Sequence, residues 1–313
     1  LFCGVFFCNF TAVKYLSCIF FLLPFSVFAQ NEGNIWYFGQ NAGLDFNSGV
    51  PVALTDGQLN TTEGCATISD NNGDLLFYTD GMTVYDKLHN IMPNGTGLLG
   101  NSSSSQSGII IAKPGSTTIY YLFTVGAGTL LGGNGGGINY SEVDISLQGG
   151  LGDINANKNI SVTLNASEKI TAIKHQNGSD FWVICRLENS NTYHSYLLTS
   201  LVLNMLPVVT NIGPTYVQNV GYLKGSPDGN KIAAANHIGS ESVDIIDFDN
   251  QTGILSNAIT INLNCCIYGI EFSPNSEIVY FTNYSEVYQV DLLAGSSANI
   301  INSVFQISNS SAS

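Results

Sequence analysis

The sequence is poor in charge. Asp, Glu, Lys and Arg make up only 10% of its 313 residues, where a soluble domain ordinarily carries about a quarter. Positive charge is scarcest: nine Lys and Arg stand against 23 Asp and Glu, a net charge of −14. No basic cluster offsets this locally, so a phosphate backbone finds no footing and nucleic-acid binding is excluded. The shortage of Glu and Lys also argues against a helical protein, whose exposed faces are normally built from them. No stretch after residue 30 keeps a 3.6-residue apolar period for three capped turns. The familiar catalytic signatures are missing: there is no G-x-S-x-G, no H-E-x-x-H, no G-x-x-x-x-G-K-[ST] and no C-x-x-C. Gly126-Ala127-Gly128 and the glycines of 132–137 lack the spacing of a nucleotide loop and read as a flexible excursion between strands.

What replaces charge is Asn, Ser, Thr and 33 Gly, around a chain that is 44% hydrophobic and 11% aromatic. That mixture suits a β-protein rich in turns, where Asn and Gly take the positive-φ positions. The first thirty residues stand apart. Lys14 precedes an apolar run from Leu16 to Phe28, and Val27-Phe28-Ala29 offers a small-residue cleavage site before Gln30. We read 1–29 as a signal peptide and 30–313 as the exported domain, with no stable membrane span after cleavage. The chain opens on Leu1 and closes on Ser311-Ala312-Ser313 with no closing element, so a truncated ring with absent downstream domains is expected. Cys65, Cys185, Cys265 and Cys266 remain in the exported domain and allow three disulfide pairings. Each lies in an apolar run, where a free Cys acts as a small hydrophobe.

Short aromatic runs alternate with turn residues. Cys65–Ser69, Gly108–Ala112, Ile170–Lys174, Gly221–Leu223 and Tyr268–Phe272 each lead through a polar turn into a second apolar strand, then a third that often ends in Asp. The matching positions Cys65, Ile109, Ile173, Leu223 and Ile270 are spaced 44, 64, 50 and 47 residues apart. Propeller blades recur every 40–50 residues or so, and the long interval contains the Gly-rich insertion. The expected fold is therefore all-β: a propeller of four-stranded blades, five full and with partial ones at 34–54 and 300–307, the ring incomplete at its C-terminus. An immunoglobulin-type sandwich would not show this repeat.

Ser226-Pro227-Asp228-Gly229 and Ser273-Pro274-Asn275-Ser276 resemble the hairpin of surface-layer, lactonase-like and TolB-like propeller repeats. Asn34–Phe46, Glu63-Gly64-Cys65-Ala66 and Tyr78–Asp86 resemble the N-terminal propeller of large secreted Bacteroidota proteins, the kind that end in a gliding-motility-associated sorting domain. That resemblance spans roughly 31–295. It implies type IX secretion through an absent C-terminal domain, display at the cell surface, and adhesion to an extracellular protein or polysaccharide.

The chemistry-bearing residues are few. Asp45, Glu63, Glu168 and Glu271 are the carboxylates that could serve a propeller glycoside hydrolase or lyase, which needs two across the scissile bond. Asp70, Asn72 and Asp74 alternate around Gly73 and could hold a structural calcium, although six to eight oxygens are wanted. The turn itself is the stronger expectation. His89, His175, His194 and His237 show no ligand spacing and read as surface or turn residues. Trp36, Tyr37, Phe38 and Trp182 could stack on a sugar, but packing between blades is the expected role. No catalytic residue and no cofactor is assigned at this level; the expected function is non-catalytic recognition at the bacterial surface.

Overall fold

Short apolar runs bounded by Gly, Asn and Asp can close hydrogen bonds only by pairing with their sequence neighbours, and they do so in six successive antiparallel sheets. The structure is a computed structural model that describes residues 31–309, apart from 129–135, 218–219, 238–240 and 264–265. The leader, Cys265 and part of the Gly-rich insertion lie outside the described residues.

Blade 1 holds β1 (Ile35–Phe38), β2 (Ala42–Asp45) and β3 (Val52–Leu54). Blade 2 holds β4 (Ala66–Ser69), β5 (Leu75–Thr79), β6 (Thr83–Asp86) and β7 (Ile91–Thr96). Blade 3 holds β8 (Gly108–Ala112), β9 (Ile119–Val125) and β10 (Gly137–Asp144), with β11 (Asp153–Ile154) and β12 (Ile160–Leu164) both paired to β10. Blade 4 holds β13 (Ala166–Lys174), β14 (Phe181–Leu187), β15 (Thr192–Leu198) and β16 (Val208–Asn211). Blade 5 holds β17 (Leu223–Gly225), β18 (Lys231–Asn236), β19 (Ser242–Asp249) and β20 (Ile254–Asn262). Blade 6 holds β21 (Ile270–Phe272), β22 (Ile278–Thr282) and β23 (Glu286–Asp291), then a short helix α1 (Ser297–Asn302) and β24 (Phe305–Asn309). The chain is a six-bladed β-propeller. The first strand of each blade lies innermost, β1 against β4, β4 against β8, and so on to β17 against β21.

The count differs from five full blades with partial ones at each end. Residues 34–54 form a complete three-stranded sheet, because Gly43 lets β2 pass close to Tyr37 and continue into β3. The strand expected at 300–307 starts later, at Phe305, and is the outermost strand of blade 6. It opens no new blade: Ser296 caps α1 by accepting from the Asn299 N–H, and the helix delivers the chain to the edge of β23.

Blades stack through apolar side chains on alternate strand positions. Tyr37 packs on Tyr78 between blades 1 and 2, with ring centroids 4.6 Å apart. Phe77 and Val84 meet Leu122 and Val143 between blades 2 and 3. Further clusters join blades 3 and 4, 4 and 5, and 5 and 6. Cys65, Cys185 and Cys266 are unbridged, and Cys185 is wholly buried within the cluster between blades 3 and 4.

The hairpins between first and second strands share one device. Asp70 Oδ1 accepts from the N–H groups of Asn72 and Asp74 at 2.8 and 3.0 Å. Asp228 Oδ1 accepts from the Ser226 hydroxyl and the Asn230 N–H in the corresponding turn of blade 5. The carboxylate thus serves backbone donors that the turn would leave unmet. Replacing Asp70 by Ala is expected to cost about 1 kcal/mol and to leave thermal unfolding indifferent to calcium or chelator. A melting temperature that rises with calcium in the parent and not in Asp70→Ala would make this turn a metal site instead.

Candidate functional site

The innermost strands converge on a cleft of about 660 Å³. Its lining is mainly apolar: Trp36, Phe38 and Leu44 from blade 1, Ile109 and Ile110 from blade 3, and Tyr222 from blade 5. One ion pair stands in it, Lys224 Nζ to Glu271 Oε2 at 2.8 Å, with both side chains partly exposed. These two residues come from β17 and β21, so adjacent blades each supply one charge.

Gln106 closes the inner wall. Its side-chain carbonyl accepts from the N–H groups of Ile170 (3.2 Å) and Leu223 (2.8 Å), while its amide donates to the carbonyls of the same residues at 2.8 and 3.2 Å. One amide thereby pairs the inner-edge backbone groups of Ile170 in blade 4 and Leu223 in blade 5, both buried. Nearby, Glu168 accepts from the N–H and hydroxyl of Ser105 at 2.9 and 3.0 Å and from the Gly128 N–H at 3.1 Å. Glu63 accepts from the Tyr268 hydroxyl at 3.0 Å, tying blade 6 to the lead-in of blade 2. Burial pushes the Glu63 carboxyl above the usual carboxylate range; the Tyr268 bond opposes this and the charge of Glu168 adds to it.

Of the four carboxylates singled out from sequence, Glu63 and Glu168 are near enough to interact, and Glu271 and Asp45 are engaged elsewhere. Glu271 lines the cleft in an ion pair, Glu63 and Glu168 act on one another, and Asp45 turns back to accept from the Asn47 N–H at 2.8 Å. Asp70, Asn72 and Asp74 remain in their hairpin, and among the described residues no group of three or more His, Cys, Asp or Glu side chains is placed to hold a metal ion. The histidines are dispersed. His89 and His175 sit in turns, His89 near Asp56 (3.4 Å) and His175 against the Gln251 carbonyl (3.2 Å). His194 is half-buried on β15 and not in a turn, and His237 is buried beside Tyr268 and Tyr284 and is not a surface residue. Burial holds both imidazoles below the ordinary histidine range.

Of the aromatics, Tyr37 and Trp182 pack between blades as expected; Trp182 also donates from Nε1 to the Asn250 carbonyl at 2.9 Å. Trp36 and Phe38 do not. They are 51% and 38% exposed, on the face of blade 1 turned away from blade 2.

Sequence reasoning missed the buried charges. Lys169 is fully enclosed, and its ammonium donates to the carbonyls of Val220 (2.6 Å) and Gly221 (3.1 Å). Burial, with Arg186 nearby, holds its pKa well below the usual lysine value. Arg186 is also fully buried, its guanidinium 4.3 Å from the Tyr216 ring centroid. For Arg186 a signal was available, since it follows the apolar run 181–185; Lys169, between Glu168 and Ile170, had none.

No family model matches the sequence, and no curated protein is significantly similar to it. Solved structures are similar in fold. One is a candidate 6-phosphogluconolactonase from Bacteroides fragilis, with a TM-score of 0.55 at 13% identity, covering 89% of this chain and 83% of that one. Another is the periplasmic gluconolactonase of Pseudomonas aeruginosa, with a TM-score of 0.53 at 13% identity, covering 86% and 76%. At such identity the likeness is one of fold: both, like this chain, are built on the β-propeller.

Proposed function

We propose that this propeller is a secreted, surface-displayed recognition module that holds an extracellular polysaccharide at its axial cleft without chemistry on it. The observation that carries the reading is the cleft lining, apolar strips interrupted by the single pair Lys224–Glu271. Apolar and aromatic walls suit the C–H face of a sugar ring, and a charged pair offers both donors and acceptors to its hydroxyls. Export through the cleaved leader, and by the type IX route, belongs to the same proposal and rests on the sequence resemblance.

The test is a glycan array followed by calorimetry and a reducing-end assay on whatever binds. Lys224→Ala combined with Glu271→Ala is expected to weaken binding tenfold or more, about 1.4 kcal/mol, with no sugar released by the parent. A protein captured in place of a glycan would change the ligand class.

A second reading draws on Glu63 and Glu168. A carboxyl raised above the usual range by burial, with a second carboxylate near enough to add to that shift, is what an acid–base pair would need in a glycoside hydrolase or lyase. Release of reducing ends by the parent, abolished in Glu63→Gln, would establish it over the first.

A further inference from the structure

The side chains that stand in the axial cleft are already engaged in part, and what they leave free decides what can bind there. Trp36 is half exposed, yet its indole N–H donates to the Gly33 carbonyl at 2.8 Å and the Phe46 ring packs 4.8 Å from its own. The indole is therefore held in one orientation, and it offers a ligand its π face without a hydrogen bond. Phe38 lies two residues further along the same strand, exposed on the same side, so the two rings stand in a row about 6.5 Å apart. Such a row is matched by pyranose rings whose hydroxyls are equatorial, because their faces then show only axial C–H groups.

Charge narrows the class further. Among the described residues that line the cleft only Lys224 and Glu271 are charged, and they neutralise one another at 2.8 Å. Glu271 engages both its oxygens within the protein, Oε2 with Lys224 and Oε1 with the Phe272 N–H at 3.1 Å. The ammonium keeps further N–H donors and the carboxylate keeps further lone pairs, so the pair suits a hydroxyl, which both donates and accepts. A carboxylate or sulfate on the ligand can only accept. It would reach Lys224 with Glu271 alongside, in the field of a chain whose net charge is −14. We propose that the axial cleft selects neutral polysaccharides of equatorially hydroxylated pyranose rings and discriminates against uronic acid and sulfated polymers. This inference rests on the glycan reading and names the class of glycan within it.

The probes are cellohexaose and the hexamer of β-1,4-linked glucuronate, which share linkage and ring stereochemistry and differ by oxidation at C6. Each is titrated into the full chain by calorimetry and by the emission of Trp36, since Trp182, the second of the two tryptophans, is buried. Cellohexaose should shift that emission and bind about tenfold or more tightly than the glucuronate hexamer. Its affinity should hold within about twofold in roughly 1 M salt, where the screening length is about 3 Å. Trp36→Ala should weaken cellohexaose by about tenfold or more, and Trp36→Phe should recover most of the loss, because the ring and not the N–H meets the sugar. Glu271→Gln frees Lys224 and should bring the glucuronate hexamer to at least the affinity of cellohexaose, with that gain lost in salt. Equal or tighter binding of the glucuronate by the parent would overturn the inference and leave polysaccharide recognition standing. Cellohexaose binding that Trp36→Ala does not alter would overturn it too. So would binding of neither hexamer, and the glycan array then decides separately whether the cleft takes any polysaccharide.

Discussion

Arg186→Ala should be the most damaging single substitution in this chain, lowering the free energy of unfolding by about 3–5 kcal/mol. The guanidinium donates to the Ser190 carbonyl at 2.6 Å, to the Pro214 carbonyl at 3.4 Å and to Asn236 Oδ1 at 3.3 Å. Asn236 in turn donates to Asp244 at 3.1 Å, and Asp244 also accepts from Tyr216 and Thr260 at 2.9 and 2.7 Å. Burial pushes the Asp244 carboxyl upward, and these hydrogen bonds with the charge of Arg186 pull it back. The network joins blades 4 and 5, and its charged and amide members Arg186, Asn236 and Asp244, with Tyr216, are buried. Truncating the arginine takes two N–H donors from the Ser190 carbonyl, leaves buried Asn236 Oδ1 without its donor and leaves buried Asp244 without its nearby cation. A domain has about 5–15 kcal/mol in total, so the variant should unfold at much lower urea. Arg186→Lys should recover only part of the loss, since one ammonium cannot reproduce the planar fork or the stacking on Tyr216. A midpoint for Arg186→Ala close to that of the parent would show that the cluster relaxes around water and contributes little.

The second large effect is expected in alkali. Burial pushes the hydroxyls of Tyr78, Tyr196 and Tyr222 up to about 12, the Cys185 thiol up to about 12 and the Cys65 thiol up to about 11. Each folded value lies above its unfolded one, near 10 for tyrosine and 9.0 for cysteine. Their contributions are therefore complete below the unfolded values and are lost as pH rises towards the folded ones. Lys169 runs the other way: its folded value is depressed, so its contribution grows as pH climbs to the unfolded lysine range. One lysine is outweighed by three tyrosines and two cysteines. Each net proton steepens the loss by about 1.4 kcal/mol per pH unit; Tyr222, the partly exposed one of the three, counts for less because solvent screens it. Circular dichroism and tyrosinate absorbance followed from pH 9 upwards should show ionisation and unfolding as one cooperative step. A gradual tyrosine titration centred near 10, with the circular dichroism intact, would mean that the phenols are solvated in the native state.

Most of the blade grammar could be read locally. Short apolar, aromatic-rich runs such as Leu75–Thr79 or Ile278–Thr282 mark a strand, and Asn72-Gly73 or Asp228-Gly229 marks the hairpin beside it, because both depend on residues within a few positions. Blade 1 was harder to see, since its outer strand, Val52–Leu54, is short and largely exposed. The outermost strand of blade 6 was harder too, because α1 intervenes between it and β23.

The site was far less legible. Glu63 and Tyr268 are 205 positions apart and Gln106 and Leu223 are 117, so nothing in their neighbourhoods marks the contact. The buried charges of blade 4 contradict the usual placing of Lys and Arg outside, and that rule alone would have misplaced them.

By itself the sequence determined what short-range physics controls: strands from short apolar, aromatic-rich runs, turns from Asn, Asp and Gly, and a repeat whose period points to blades. Which carboxylates meet and which aromatics are covered were decided by tertiary structure alone. Those outcomes depend on how six sheets rotate about one axis, and residues far apart in the chain share that axis only after the sheets have packed.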